Sequence, residues 1–144
     1  MSSNIVYKAT ITCDKPNYDA KIYLGISEGK FKTRYANHKK SFCHDKYRTE
    51  TELSIEYWKL RDQNYTPSIK FEIKKKCSPY QPSSDICNLC ISEKLLILEH
   101  PLVNILNQRK ELVSKCRHKN KFKLCNHKLK TWRNLLIPLH CIII

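Results

Sequence analysis

IVYKATIT, Ile5 to Thr12, sets Ile5, Tyr7, Ala9 and Ile11 on one face and Val6, Lys8, Thr10 and Thr12 on the other, the alternation of a half-buried strand. Working outward, Asp14, Pro16, Asn17 and Asp19 supply turn chemistry, and Lys21 to Gly25 is a short apolar run that predicts a second strand. The two strands form an antiparallel hairpin. After Ser27 to Lys30, the spacing of Phe31, Tyr35, His38 and Phe42 follows one helical face. Thr49 with Glu52 reads as a capping box for the next helix, whose buried stripe is Leu53, Tyr57 and Leu60. Ser68 to Lys74 alternates again through Ile69, Phe71 and Ile73, and the Pro/Ser-rich run from Ser78 to Ser84 reads as a surface loop. Leu89, Leu96 and Ile97 fit a third helix from about Cys87 to Glu99, stopped by Pro101 because proline cannot continue the hydrogen-bond ladder. The order ββααβα predicts an α/β chain of the α+β kind, a small three-stranded antiparallel sheet flanked by helices.

The chain of 144 residues suits one domain with a single core. Its 27 Lys and Arg against 13 Asp and Glu give a formal charge of +14, a field that favours polyanionic partners. Charge sets the class of partner and leaves the chemistry open. The eight cysteines would suit a secreted disulfide scaffold, but the N-terminal residues lack the apolar core of a signal peptide, so an intracellular, reduced protein is expected. The longest apolar stretch, Leu135 to Ile144, is about half of the roughly 20 residues a bilayer-spanning helix requires and contains Pro138 and His140, so no membrane partner is expected. Between Arg109 and Arg133 ten Lys and Arg stand against one acid, Glu111, and this is the most basic part of the chain.

Two charges fall against apolar helix faces. Glu93 lies between Leu89 and the pair Leu96 and Ile97, so its carboxylate shares the face that should be buried. A buried carboxylate needs an Arg partner, a bound cation such as magnesium, or a proton. Arg34 lies three residues after Phe31 and four before His38, where a guanidinium could reach a phosphate with its planar fork of donors, or pair with Glu93 in the core.

The order of Val6-Tyr7 on the first strand, Tyr23-Leu-Gly25 on the second, Phe31-Lys-Thr-Arg34-Tyr-Ala-Asn-His38 on a helix, a later helix bearing Glu93 and then Leu106-Asn107 resembles the pattern of GIY-YIG endonucleases. Tyr23-Leu-Gly-Ile-Ser-Glu-Gly-Lys-Phe31, Cys87-Asn-Leu-Cys90 and Leu106-Asn-Gln-Arg-Lys-Glu-Leu-Val-Ser-Lys-Cys-Arg-His118 are similar, more specifically, to the endonuclease part of Penelope-like retroelements. The resemblance spans roughly residues 5 to 123. Ile-Val-Tyr stands where the family favours Gly-Ile-Tyr, and Tyr-Leu-Gly where it favours Tyr-Ile-Gly. Sixteen positions separate Tyr7 from Tyr23, more than the family's usual spacing, which enlarges the loop around Cys13 to Ala20 and offers it to DNA.

That resemblance implies a GIY-YIG-like fold and metal-dependent hydrolysis, or nicking, of a DNA phosphodiester, in a retroelement-derived protein that would work in the nucleus. Glu93 would hold Mg2+ or Mn2+, Arg34 would steady the phosphate as charge develops, and Tyr7 or Tyr23 would help deprotonate the attacking water. A free tyrosine, with a pKa near ~10, needs a nearby cation to act as a base at neutral pH. His38 could accept or relay a proton, or serve as a hydrogen-bonded core residue. Asn107 could orient Glu93 or the substrate, or act as a cap. Gly25 would allow close backbone approach.

Cys87 and Cys90 have the spacing that lets two thiolates meet one tetrahedral zinc, and Cys116 and His118 could complete it; Cys125 with His127, or Cys77, offer other completions. Such a zinc would be structural and would fasten the start of the third helix to the basic segment. Residues 1–123 then form the endonuclease-like domain with its zinc element, and 124–144 a basic and then apolar extension. Two rival readings remain: a zinc-stabilised nucleic-acid-binding module that does not cut, and a structural basic protein in which Arg34 and Glu93 pair.

Overall fold

A computed structural model of the chain describes residues 3–79, 81, 83, 87–108 and 116. Strand β1 (Ile5–Cys13) and strand β2 (Lys21–Ser27) form the expected antiparallel hairpin, with Tyr7 opposite Gly25 and Ala9 opposite Tyr23. Helix α1 (Phe31–Cys43), a one-turn 3-10 helix (Asp45–Tyr47) and helix α2 (Glu52–Asp62) follow. Strand β3 (Pro67–Lys76) returns antiparallel to β1, and helix α3 (Asn88–Glu99) leads to a second 3-10 turn (Leu102–Asn104). The sheet order is β2-β1-β3, so β1 is central. The predicted α+β class and its three-stranded antiparallel sheet are present.

The two faces of β1 build two different cores. Ile5, Tyr7, Ala9 and Ile11 join Tyr23, Leu53 and Leu60 under α1 and α2. Val6 and Leu24, on the opposite face by the two-residue period of a strand, receive Leu89, Cys90 and Ile97 of α3. Helices therefore cover both faces. Among the described residues no helix is long and apolar enough to cross a membrane.

Local chemistry sets the boundaries. The capping box of α2 is formed by Thr51 and Ser54, whose side chains each bond the other's backbone N–H, and not by Thr49 and Glu52. Residues 45–50 are used in turns, in which Arg48 N donates to Asp45 O and Glu50 N to Tyr47 O, so the helix starts later than the Thr49 pattern predicts. At its other end Asn64 takes φ 64°, and Tyr65 N and Asn64 N bond the carbonyls of Leu60 and Arg61 in the crossed pattern of a Schellman closure. The loop between β1 and β2 and the start of β2 are tied to α2: the Tyr18 hydroxyl donates to Glu56 Oε1 at 3.0 Å and Lys21 Nζ meets the same oxygen at 2.6 Å.

The free edge of β2 is covered. Ile105 bridges Ile22 in parallel, Leu106 N donates to Ile22 O at 2.7 Å, and Asn107 continues the pairing with its side chain. An edge strand with open N–H and C=O groups invites other chains, and this short segment closes it. His118 and the extension 124–144 lie outside the described residues.

Candidate active site and cysteine cluster

Four of the six expected catalytic residues meet on the α1 side of the sheet. The ring of Tyr7 packs between Phe31 and Phe71, with centroids at 5.2 and 6.2 Å, and its hydroxyl lies 2.7 Å from Nε2 of His38. Arg34 Nε donates to the same hydroxyl oxygen at 3.1 Å, and the guanidinium also bonds the Tyr23 hydroxyl. Tyr23 and His38 stand edge to face with centroids 6.0 Å apart. One turn of α1 separates Arg34 from His38, so both reach the sheet from the same helix face. Tyr7 and Tyr23 come from neighbouring strands, with Tyr23 opposite Ala9.

Gly25 makes the arrangement sterically possible. It faces Tyr7 across the ladder, and a Cβ there would overlap the Tyr7 hydroxyl and ring carbons. A tyrosine lying flat across its strand partner requires a partner with no side chain.

The electrostatics of the cluster follow from burial and from one cation. Burial opposes the positive charge of Arg34, but the hydroxyls of Tyr7 and Tyr23 more than offset it and hold the guanidinium above its ordinary value. Burial, and then the Arg34 charge, push His38 down to about 4. His38 is therefore neutral near pH 7. With Arg34 donating to the Tyr7 oxygen, a neutral imidazole leaves Nε2 able to accept the Tyr7 proton. That hydroxyl sits between a cation that favours its phenolate and a neutral imidazole that can accept its hydrogen bond.

Glu93 and Asn107 sit elsewhere. Glu93 is 6% exposed, buried as expected, on the α3 face between Leu89 and Ile97. That face meets Val6 and Leu24, on the opposite side of the sheet from the Tyr7 and Tyr23 rings. Asn107 Oδ1 accepts from Leu24 N at 2.8 Å, and Nδ2 donates to Leu24 O at 2.7 Å. Both of its polar atoms serve the backbone of β2, so it clamps the strand that carries Tyr23 and Gly25 instead of orienting Glu93.

Three of the four expected zinc ligands lie together. Cys87, Cys90 and Cys116 are buried, and their sulfurs lie within 4.8 Å of one another. Cys116 Sγ stands 3.6 Å from Cys90 Sγ, too far for a disulfide. Tetrahedral zinc with Zn–S bonds of ~2.3 Å places its sulfurs roughly 3.8 Å apart, so the spacing suits a shared metal. Burial raises the Cys87 thiol above its ordinary value, which a bound cation would reverse. Cys77, partly buried, packs against the same cluster. This buried three-cysteine group could hold a metal.

Sequence reading missed the aromatic floor and the surface beside it. Phe71 touches Tyr7, Tyr35 and His38, and its alternation on β3 marked it only as core. Asn37, Lys40 and Glu50 line a cavity next to Arg34 and His38. The signal was available for Asn37, which follows Arg34 by one helical turn, but not for Glu50, which arrives from the start of α2.

The fold and site define an α+β domain with a buried Tyr–Arg–His cluster on one face of its sheet and a three-cysteine group on the other. None of the family models, curated proteins or solved structures compared with the chain matches it.

Proposed function

We propose that this chain is a metal-dependent DNA endonuclease of the GIY-YIG type, retroelement-derived, which nicks a phosphodiester and carries a structural zinc. The observation that supports it most is the convergence of Arg34 Nε and His38 Nε2 on the hydroxyl of Tyr7. A cation on the tyrosine oxygen favours its phenolate, the form that can act as a base, and the neutral imidazole holds that oxygen in place. The formal charge of +14 supports a nucleic-acid partner.

In this reading Arg34 binds the scissile phosphate and balances the charge that develops on its oxygens. As water attacks phosphorus, its proton would pass to the Tyr7 oxygen, ionised beforehand with the help of Arg34, and His38 Nε2 would accept a hydrogen bond from the hydroxyl so formed. Tyr7 is enclosed, so water and phosphate would have to reach it past Arg34, which lines a cavity open to the surface. Tyr23 fixes the second side of the guanidinium. Glu93 is the carboxylate suited to a divalent cation, Mg2+ or Mn2+, which when bound would neutralise phosphate charge and assist departure of the leaving oxygen. Zn2+ on Cys87, Cys90 and Cys116, with His118 as the expected fourth ligand, would fasten α3 to the basic segment.

Plasmid nicking tests the reading: Mg2+-dependent relaxation of supercoiled DNA by the wild-type chain, lost in Glu93→Ala while DNA binding persists. A wild-type protein that binds DNA yet never nicks it, across several divalent metals and sequences, would overturn it. One observation favours a second reading, a zinc-stabilised binding module that does not cut. Tyr7 is fully enclosed and Glu93 lies on the other face of the sheet, as an internal framework would place them.

A further inference from the structure

A cavity of about 240 Å3 opens beside Arg34 and His38, between α1 and the start of α2, and is lined by Asn37, Lys40, Tyr47 and Glu50. Pockets that enclose a drug-sized molecule begin at roughly 300 Å3, so this one suits a single ring system. Its polar groups separate two possible occupants. Arg34 and Lys40 would welcome a phosphate, but a carboxylate in the same wall would repel one. Glu50 is that carboxylate. Among the described residues, neither the Glu50 side chain nor that of Asn37 has a hydrogen-bond or ion-pair partner.

An acceptor-only carboxylate beside an amide that both donates and accepts is the equipment that reads the edge of a nucleobase. A carboxylate accepts from an exocyclic amino group, and asparagine pairs with both a donor and an acceptor on one base edge. Lys40 and Tyr47 line the cavity, and Lys40 Nζ and Lys46 Nζ lie 4.7 and 4.9 Å from the centroid of the Tyr47 ring. Tyr47 thus gathers two ammonium groups where the sugar-phosphate chain on either side of an inserted base would pass. The Thr51 hydroxyl is already bonded to Ser54, so the end of α2 is satisfied and adds no competing anion site through that side chain.

We propose that this cavity receives one unstacked nucleobase of the strand whose phosphate lies at Arg34, with Glu50 and Asn37 reading its hydrogen-bonding edge and Lys40 and Lys46 holding the adjoining backbone. The inference rests on the endonuclease reading for what brings a phosphate to Arg34, yet it requires binding alone. It also makes an unpaired or single-stranded base the easiest to accept, because no stacking or pairing has to be broken.

The test is a titration of the full chain, followed by NMR at the backbone amides of Asn37, Tyr47 and Glu50, with each deoxynucleoside 5′-monophosphate and separately with inorganic phosphate. Nucleotides bearing an exocyclic amino group are expected to bind roughly tenfold more tightly than dTMP, which has none, and Glu50→Gln to erase that difference. Equal shifts from inorganic phosphate and from all four nucleotides would make the cavity an anion site and overturn the inference, as would no shift, or a preference that Glu50→Gln leaves intact. Plasmid nicking measured in parallel separates the two readings. Base discrimination without nicking removes the endonuclease and keeps the base pocket; nicking without base discrimination does the reverse.

Discussion

The Tyr7 hydroxyl lies 2.7 Å from Nε2 of His38, and Arg34 Nε donates to the same oxygen at 3.1 Å. One atom thus links the central strand to two positions of α1. Tyr7→Phe deletes that atom and leaves two largely buried polar groups without it, at a cost of about 1–3 kcal/mol in folding stability. If Tyr7 is the base, nicking should fall by roughly 10²–10⁴-fold while DNA affinity changes little. Parallel urea unfolding, binding and nicking measurements check this; a variant that nicks at the wild-type rate would restrict Tyr7 to packing.

The same contact predicts how stability depends on pH. His38 is held at about 4 in the folded chain against an ordinary value of 6.5, chiefly by burial and secondly by Arg34. A depressed folded value means that the unfolded chain binds the proton more readily, so protonation favours unfolding. The stabilisation is complete above about pH 6.5 and is lost as pH falls toward 4. With 1.36 kcal/mol per unit, the loss at pH 4 comes to about 3 kcal/mol. His38→Phe removes the proton site, so its stability deficit relative to wild type, read by urea unfolding, should shrink by about that amount between pH 7 and pH 4. A deficit that stays constant would mean His38 titrates alike in both states.

Much of this architecture was legible because the signals were local. The alternation of Ile5 to Thr12 assigned Tyr7 to one face and Val6 to the other, and that division holds in the two cores. Glu93 and Arg34 were found because each charge breaks an apolar helical stripe, and Glu93 is indeed buried. The Thr49 capping box was wrong because the turns over 45–50 take up Thr49, and Thr51 with Ser54 offers the same chemistry two residues later. The bonding of Asn107 to β2 was out of reach for a different reason. Its partner, Leu24, is 83 positions away, and nothing in Leu106-Asn107 shows that this segment runs along the edge of β2. That α3 and the tyrosines would lie on opposite faces depends likewise on which side α3 crosses, which periodicity alone leaves open.

Asn107 accordingly has a structural prediction of its own. Asn107→Ala leaves the N–H and C=O of Leu24 without their side-chain partners in a buried setting, and should cost about 1–3 kcal/mol. The decisive readout is hydrogen exchange at the Leu24 amide, which should accelerate more than exchange at Lys8, its partner on the central strand. Unchanged exchange at Leu24 would show that the backbone of β2 is protected without the clamp.

Gly25 tests how rigid the cluster is. Gly25→Ala places a methyl where the Tyr7 hydroxyl and ring already stand, and Tyr7 has no room to retreat between Phe31, Phe71 and His38. Overpacking of this kind costs about 1–3 kcal/mol. The strain should open the packing around His38 and relieve the burial that chiefly depresses it, so the histidine should titrate closer to its ordinary value of 6.5 in Gly25→Ala, as followed by the NMR shifts of its ring protons. A destabilised variant with an unmoved His38 titration would show that the sheet yields and the cluster does not.

The cysteine group carries a prediction independent of cutting. Three buried sulfurs within 4.8 Å of one another, two of them 3.6 Å apart, are costly to ionise without a cation, and burial already raises the Cys87 thiol. A metal that takes up the thiolates removes that cost and joins α3 to Cys116 across the chain between them. The purified protein should therefore carry one zinc per chain, and Co2+ in its place should give the visible absorption of tetrahedral thiolate coordination. Because binding free energy at a site absent from the unfolded chain becomes folding free energy, chelation should lower the melting temperature, and readdition of zinc should restore it. Cys90→Ser should abolish stoichiometric binding and make melting insensitive to chelator, whereas Cys43→Ser, at an exposed position away from the group, should behave as wild type. Full-strength zinc binding by Cys90→Ser would move the metal to other residues and leave Cys87, Cys90 and Cys116 as reduced core thiols.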